Sequence, residues 1–517
     1  MNQDKVLLII LDGFGEGKDY EGNAITRART PNLDKLRATY PLSFLKSHGN
    51  AVGLPEGTQG GSEVGHFIMG AGRIVFQSLE EINQSIKNQE FFHKEPFMDA
   101  CDYIKKTPGA ALHLMGMISD AGIHATIEHL YALLQLAKNQ GIATTYIHAI
   151  TDGRDVLERS AETYLTKLQE KIIELGMGPD SSTRATIATI AGRYFSMDRD
   201  NNWERTEKAY NLIVNGEGIV EKDAAEGIKN AYARGVETDY YIDPIVLNPH
   251  SAIKNEDAVI FFNFRTDRTR QLTQCFTREK EIGFTPKKTV TPFFVCMGDY
   301  STKAPVVFPV KPVINNLGSV LSQKHIPQLR MAETEKYAHV TYFFNSQIHE
   351  PFALEDRIMI DSKKAASFAE IPEMSAREIT DRLLQEMDAE THPVTILNFA
   401  NLDLVGHSGD FAASVKAVEV IDECLGRITQ KSLEKNYQTL ITGDHGNIEY
   451  MIYDSGPEKG QQCPSHTKNP VPLILVSTKY QSSKLANGEL KDIAPTILTL
   501  LDIKKPQEMT GENLLTA

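Results

Sequence analysis

Seven residues have side chains that hold divalent metal ions or are activated by them: Asp12, Ser62, Asp403, His407, Asp444, His445 and His466. Carboxylates and imidazoles gathered in one crevice are metal ligands, and this set suffices for two ions sharing a site. Mixed oxygen and nitrogen donors suit manganese, zinc or cobalt better than calcium. Ser62 supplies a possible nucleophile. A serine hydroxyl is weak until a base or a metal ion takes up its proton, and the ligands around it would provide that activation. Taken singly the bland readings are favoured: Asp444-His445-Gly446-Asn447 as a plain turn, Asp403 with His407 as a cap and a surface imidazole.

A second group is rich in arginine. His124, Arg154, Asp155, Arg193, Arg199, Arg265 and Arg268 follow four successive apolar runs in the middle of the chain. Planar guanidinium forks are the preferred partners of phosphate and carboxylate, so four such ends point to an anionic small molecule. The glycines of Gly13-Phe14-Gly15-Glu16-Gly17 have the wrong spacing for a dinucleotide fingerprint, and Gly17-Lys18 lacks the remainder of a phosphate loop.

The elements that must position these residues are legible as patterns. Residues 6–11 are an unbroken apolar run, expected as a strand buried on both faces of a parallel sheet, which delivers Asp12 to the crevice beyond its carboxyl end. A helix is expected from Thr30-Pro31 through Tyr40. Residues 60–66, Gly-Gly-Ser-Glu-Val-Gly-His, read as an exposed turn presenting Ser62, with Glu63 and His66 as local hydrogen-bonding support. Strands at 110–117, 144–150, 186–190 and 259–264 alternate with helices at 127–138 and 160–175. Residues 302–312, rich in proline and basic residues, read as a linker. Strands at 394–399, 438–442 and 472–476 then resume the first rhythm. Because candidate ligands come from residues 12 and 62 and again from beyond 400, both ends of the chain are expected to form one domain, 1–76 with 312–517, interrupted by a second α/β domain at 77–311.

Composition sets limits. Lys+Arg 54 against Asp+Glu 68, net −14, argues against a nucleic-acid or anionic-membrane binder. Five cysteines without a Cys-x-x-Cys pair suggest neither a disulfide framework nor a cysteine zinc site, which fits a reducing cytoplasm. The run at 6–11 is too short for a signal segment or a membrane span.

Asp12-Gly13, Ser62-Glu63-Val64-Gly65-His66 with Gly70-Ala71-Gly72-Arg73, Asp152-Gly153-Arg154-Asp155, Phe262-Asn263-Phe264-Arg265-Thr266-Asp267-Arg268, Glu333-Thr334-Glu335-Lys336, Asp403 to His407 and Thr442 to Asn447 occur in one order along the chain. In this the sequence resembles the cofactor-independent phosphoglycerate mutases of the alkaline-phosphatase superfamily. The resemblance implies an α/β fold, an alkaline-phosphatase-like doubly wound sheet domain holding two metals, with a substrate-binding transferase domain inserted. It implies one metal on Asp403, His407 and His466 and the other on Asp12, Ser62, Asp444 and His445. Manganese is the first expectation, with zinc, cobalt or magnesium open. Substrate contacts are implied at His124, Arg154, Asp155, Arg193, Arg199, Arg265, Arg268 and Lys336.

The implied reaction interconverts 3- and 2-phosphoglycerate through a phosphoserine on Ser62, with Lys336 and Asp155 also catalytic and closure of the inserted domain keeping water out. The enzyme is expected to be a cytoplasmic monomer acting on a small molecule, with no nucleic-acid or membrane partner. Gly61, Ala125, Leu402 and residues 361–371 depart from the family pattern, which bears on positioning and rate. A phosphatase or phosphopentomutase on the same core, and a non-catalytic metal and phosphate binder, are the rivals. The serine and the long insertion weigh against them.

Overall fold

The computed structural model describes residues 4–516. The chain forms two compact units, one from Met1–Gln77 with Pro312–Ala517 and the other from Ser78–Lys311. Each is an α/β unit, the first doubly wound and the second inserted into it.

The first unit holds an eight-stranded sheet in the order Glu355–Ile360, Gln328–Glu333, Val394–Phe399, Lys5–Leu11, Tyr437–Thr442, Val471–Val476, Leu42–Lys46 and Gly488–Glu489. The first five run parallel, and Val471–Val476 runs antiparallel to both neighbours. Successive strand residues point to opposite faces. In Lys5–Leu11, accordingly, Leu7, Ile9 and Leu11 enter one apolar core while Val6, Leu8 and Ile10 enter the other. That double burial is why the run shows no polar alternation.

On one face lies the helix Phe411–Glu434, its buried Ala417, Val420, Ile421, Cys424, Leu425 and Ile428 spaced to form one stripe. The Asp410 side chain caps it by accepting from the Ala413 N–H. The other face is covered by Ile68 and Met69 and by the helix Ile493–Leu500. Register brings the strand ends level: Leu11 pairs with Phe399 and Ile10 with Thr442. Asp12, Asn401 to Asp403 and Gly443-Asp444 therefore leave the sheet along one rim.

The expected helix after Thr30 spans Pro31–Thr39. The segment around Ser62 departs from the expected exposed turn. Ser62 is the first residue of the helix Ser62–Ala71 and is buried, as are Gly65 and His66, whereas Glu63 is exposed. That burial depends on contacts with residues far along the chain, such as Asp444 against Gly65, which an isolated glycine-rich sequence does not reveal. A Cβ at Gly60 would stand 2.0 Å from the Ser47 carbonyl oxygen, so glycine there serves a close backbone crossing.

The second unit is a seven-stranded sheet ordered Ile219–Val220, Ile245–Val246, Arg184–Gly192, Thr144–Thr151, Leu112–Met117, Ala258–Phe261 and Phe293–Cys296. Only the Arg184–Gly192 and Ile245–Val246 pair is antiparallel among its described pairings. Helices Ile127–Asn139 and Ala161–Glu174 alternate with its strands. The stretch read as a linker is packed for part of its length. Val306 bridges to Cys296, the Val307 N–H donates to the Cys296 carbonyl, and Val307 and Phe308 are buried in the core of this unit. Its prolines hid three residues that extend the sheet edge.

Candidate active site

The rim of the first unit gathers a carboxylate from each of three strand ends. Asp12, Asp403 and Asp444 are all buried. Asp12 Oδ1 accepts from the Ser62 hydroxyl at 2.9 Å and from Lys336 Nζ at 2.8 Å, while its Oδ2 accepts from Asn398 Nδ2 at 2.9 Å. Lys336 Nζ also donates to Ser62 Oγ at 2.7 Å and to Asp403 Oδ2 at 2.6 Å. His445 Nε2 stands 3.1 Å from Ser62 Oγ. The hydroxyl thus sits between a carboxylate, an imidazole and an ammonium, at the amino end of a ten-residue helix with no side-chain cap. The positive end of that helix favours negative charge on its first residue.

Beside this lies a second cluster. Asp403 Oδ1 is 3.2 Å from both His407 Nε2 and His466 Nε2, which are 3.0 Å from each other. The other ring nitrogens face backbone carbonyls: His407 Nδ1 to Pro464 at 2.7 Å, His466 Nδ1 to Gly60 at 2.8 Å and His445 Nδ1 to Gly446 at 3.3 Å. A carbonyl only accepts, so each Nδ1 carries a proton and Nε2 is the nitrogen that faces the cluster, the usual outer-shell arrangement of a metal-binding histidine.

Electrostatics give the same answer. Three buried carboxylates face one lysine. Burial, the largest influence, pushes the Asp12 carboxyl up, but Lys336 and His445 together outweigh it and the net shift is downward. Burial likewise lowers the Lys336 ammonium, and Asp12, Asp403 and Asp444 raise it further than burial lowers it. Against its own burial, His445 is held up at about 9 by Asp444, Asp12 and Asp403. A field that strong calls for cations. Asp444 Oδ2 is buried without a hydrogen-bond donor.

Asp403, His407 and His466 form one group whose ligand atoms lie within 4.8 Å of one another, and Asp12, Asp403 and His445 form another. These residues fit divalent metal ions. Asp12, His66 and Asp444 also converge. His66, however, is committed at both nitrogens, Nδ1 to the Ser62 carbonyl at 2.8 Å and Nε2 to Asn398 Nδ2 at 3.0 Å, so it braces Ser62 and Asp12.

The cationic residues assemble within the second unit. Arg193 is buried at the end of Arg184–Gly192. Its Nη1 donates to Asp152 Oδ1 at 2.6 Å and to Asp155 Oδ2 at 2.5 Å, and its Nη2 stands 2.9 Å from His124 Nε2. Burial, then Arg193 and Arg265, pull the His124 imidazole down to about 4, so it is neutral at physiological pH. Arg199 and Arg265 both bond Asp267, at 2.6 and 3.0 Å, and Arg268 donates to the Met197 carbonyl at 3.2 Å. Arg154 is exposed, its backbone N–H held by Asp152 Oδ1 at 3.2 Å.

The supporting roles of several residues escaped sequence reasoning. Asn398 bridges Asp12 and His66, and a lone amide at the end of an apolar strand was its signal. Asp152 ties the 152–155 turn to Arg193 and also accepts from Ser119 Oγ at 2.8 Å. Asp239 accepts from the Ser160 and Ala161 N–H groups at 2.6 and 2.7 Å, and its carbonyl accepts from Thr151 Oγ1 at 2.6 Å. Nothing in its local sequence distinguishes it.

Fold and site together define an α/β enzyme with a serine set in a metal-competent cluster of carboxylates and imidazoles. The chain is 46% identical over 517 residues to the 2,3-bisphosphoglycerate-independent phosphoglycerate mutase of Moorella thermoacetica, covering 99% of this chain and 98% of that relative. It belongs to the 2,3-bisphosphoglycerate-independent phosphoglycerate mutase family and is an isomerase of that family. The Clostridium beijerinckii relative of the same name is 46% identical, over 100% of this chain and 99% of its own. Residues 82–302 match the family described as BPG-independent PGAM N-terminus. Among solved structures, Leishmania mexicana phosphoglycerate mutase at low cobalt concentration aligns with a TM-score of 0.56 and 27% identity, covering 100% of this chain and 98% of that one.

Proposed function

We propose that this enzyme interconverts 3-phosphoglycerate and 2-phosphoglycerate through a phosphoserine on Ser62, without 2,3-bisphosphoglycerate. The observation that carries the reading is the Ser62 hydroxyl within hydrogen-bonding distance of Asp12, His445 and Lys336 together. Asp403, His407 and His466 would hold one divalent ion, and Asp12, Ser62, Asp444 and His445 the other, with manganese preferred over zinc, cobalt or magnesium. Such ions, when bound, neutralise phosphate oxygens and lower the pKa of a coordinated hydroxyl.

The remaining work belongs to the chain. Ser62 gives up its hydroxyl proton to the bases around it and takes it back when it is released; its Oγ attacks phosphorus, the bond from phosphorus to the 3-oxygen breaks, and that oxygen takes a proton from Asp155. The 2-hydroxyl of the retained glycerate then loses its proton as it attacks the phosphoserine, and Ser62 is restored. The proton released in the second step replaces the one taken in the first. Asp155 serves these hydroxyls as acid and base, oriented by Arg193. Lys336 and the amino end of Ser62–Ala71 stabilise the charge gathering at Ser62. Arg154, Arg193, Arg199, Arg265, Arg268 and neutral His124 bind phosphate and carboxylate. A cytoplasmic monomer suffices for this chemistry, and no described helix is long and apolar enough to cross a membrane.

The test is Ser62→Ala. Expected is loss of mutase activity, with folding retained and with no phosphopeptide containing residue 62 after acid quench, where the unmodified enzyme yields one. Retained turnover would refute the nucleophile. Rapid entry of labelled free glycerate into product would refute the retained intermediate.

A further inference from the structure

Away from the rim, at the edge of the first unit's sheet, two arginines share a buried face. Arg330 in Gln328–Glu333 is in register with Arg357 in Glu355–Ile360, and Gln328 with Glu355. Registered residues of parallel strands, and those two positions along, project to the same side. The set of four is therefore contiguous. Arg330 is fully buried. Its Nη2 donates to Gln328 Oε1 at 2.7 Å, while its Nε and Nη1 are buried without an acceptor. Arg357 donates from Nε to Glu355 Oε1 at 2.6 Å and from Nη1 to the His349 carbonyl at 2.8 Å, and its Nη2 is likewise buried without an acceptor.

The charges do not balance. Glu355 is taken up by Arg357 and by two bonds from Asn345 Nδ2, at 3.0 and 2.8 Å. Among the described residues Arg330 makes no ion pair; beyond the Gln328 bond, the face of Phe344 lies 5.1 Å from the guanidinium carbon. Burial, with Arg357 adding to it and Glu355 opposing, pulls Arg330 down to about 10, which still leaves it charged at neutral pH. Buried donors without acceptors are costly, and an unpaired buried cation more so. A water molecule would answer the donors and leave the charge.

We propose that the free N–H groups of Arg330 and Arg357 hold a small monovalent anion of chloride size, which completes this edge of the sheet. A monovalent charge cancels the excess of two guanidinium groups over one carboxylate. A phosphate dianion would overshoot it.

Two measurements on the full, metal-loaded enzyme test the site. Crystals soaked in bromide are expected to show an anomalous peak within hydrogen-bonding reach of Arg330. Thermal unfolding in sodium chloride is expected to occur about 2 °C higher than in sodium gluconate at equal ionic strength, saturating with chloride. Arg330→Met should abolish the chloride dependence, and Arg330→Lys should weaken it about tenfold. Water density without an anomalous peak, together with equal midpoints in the two salts, would overturn the proposal, and neither result requires a variant to fold.

Discussion

Lys336 is the residue whose position says most about how the serine is kept ready. It donates to Asp12, Ser62 and Asp403 at once, so removing it strips the hydroxyl of a donor and leaves two buried carboxylates closer to repulsion. Lys336→Met is expected to lower kcat about 100- to 1000-fold, the size of losing one preorganised charge at a reacting group. Lys336→Arg should not restore it, because a planar fork cannot reach three acceptors arranged around one ammonium. Steady-state kinetics with metal content measured in parallel would check both.

Asn398→Ala makes a different prediction. It frees Asp12 and His66 without removing a ligand, and metal affinity measured by competition with a chelator should fall about 10- to 100-fold. Unchanged affinity would show that Asn398 plays no part in orienting Asp12. Ser62 and the six candidate Asp and His ligands could be picked out in the sequence because each sits among strand ends or glycines. Asn398 and Asp239 could not, and Asp152 was visible only as part of a motif and not in its role, since each acts by bonding a residue far along the chain.

At the level of elements, the parallel strands explain why the site was readable. Runs such as Val394–Phe399, with every residue buried, announce themselves as strands, and a strand end in such a sheet is where ligand-facing residues emerge. What hid was anything depending on partner geometry. The helix Ser62–Ala71 looked like a turn because its glycines serve contacts rather than bends, with the Gly65 Cβ position 2.9 Å from the Asp444 carbonyl oxygen. Residues 306–308 looked like linker for the same reason.

The Asp239 carboxylate is the pin of the 152–160 loop, holding the amino end of Ala161–Glu174 while its carbonyl holds Thr151. Asp239→Ala should cost about 2 kcal/mol, as a buried network loses its acceptor. With Asp155 and Arg154 loosened, KM should rise more than kcat falls. A fall in thermal stability with KM unchanged would show that the loop is held by other means.

Across the whole molecule, histidines buried away from the active site set its acid limit. Burial alone holds His129 down to about 3 in the folded protein, and His113 and His148 are also lowered chiefly by burial. An unfolded imidazole titrates near 6.5. Between these values the unfolded chain binds a proton that the folded His129 refuses, so stability falls as pH drops from about 6.5 toward 3, by about 1.4 kcal/mol per pH unit for His129, and His113 and His148 act in the same direction. Hydrogen exchange of the Ile127–Asn139 amides measured from pH 7.5 to 5 should show protection lost below 6.5. His129→Gln, which keeps a polar group toward Asn83, should flatten that loss by about one proton's worth of slope.

The strand Lys5–Leu11 lies between Val394–Phe399 and Tyr437–Thr442, partners that leave the ribosome long after it. At about 5–20 residues per second, this most apolar segment waits on the order of 20 to 80 seconds with both backbone edges unpaired. Meanwhile Ser78–Lys311 holds a complete sheet and core of its own. Synthesis of this enzyme thus passes through a species with a folded middle and an unprotected, strand-forming amino end. A nascent chain stalled before residue 394 should be cleaved by protease within residues 1–77 while 78–311 survives, and molecular chaperones should crosslink to residues 5–11.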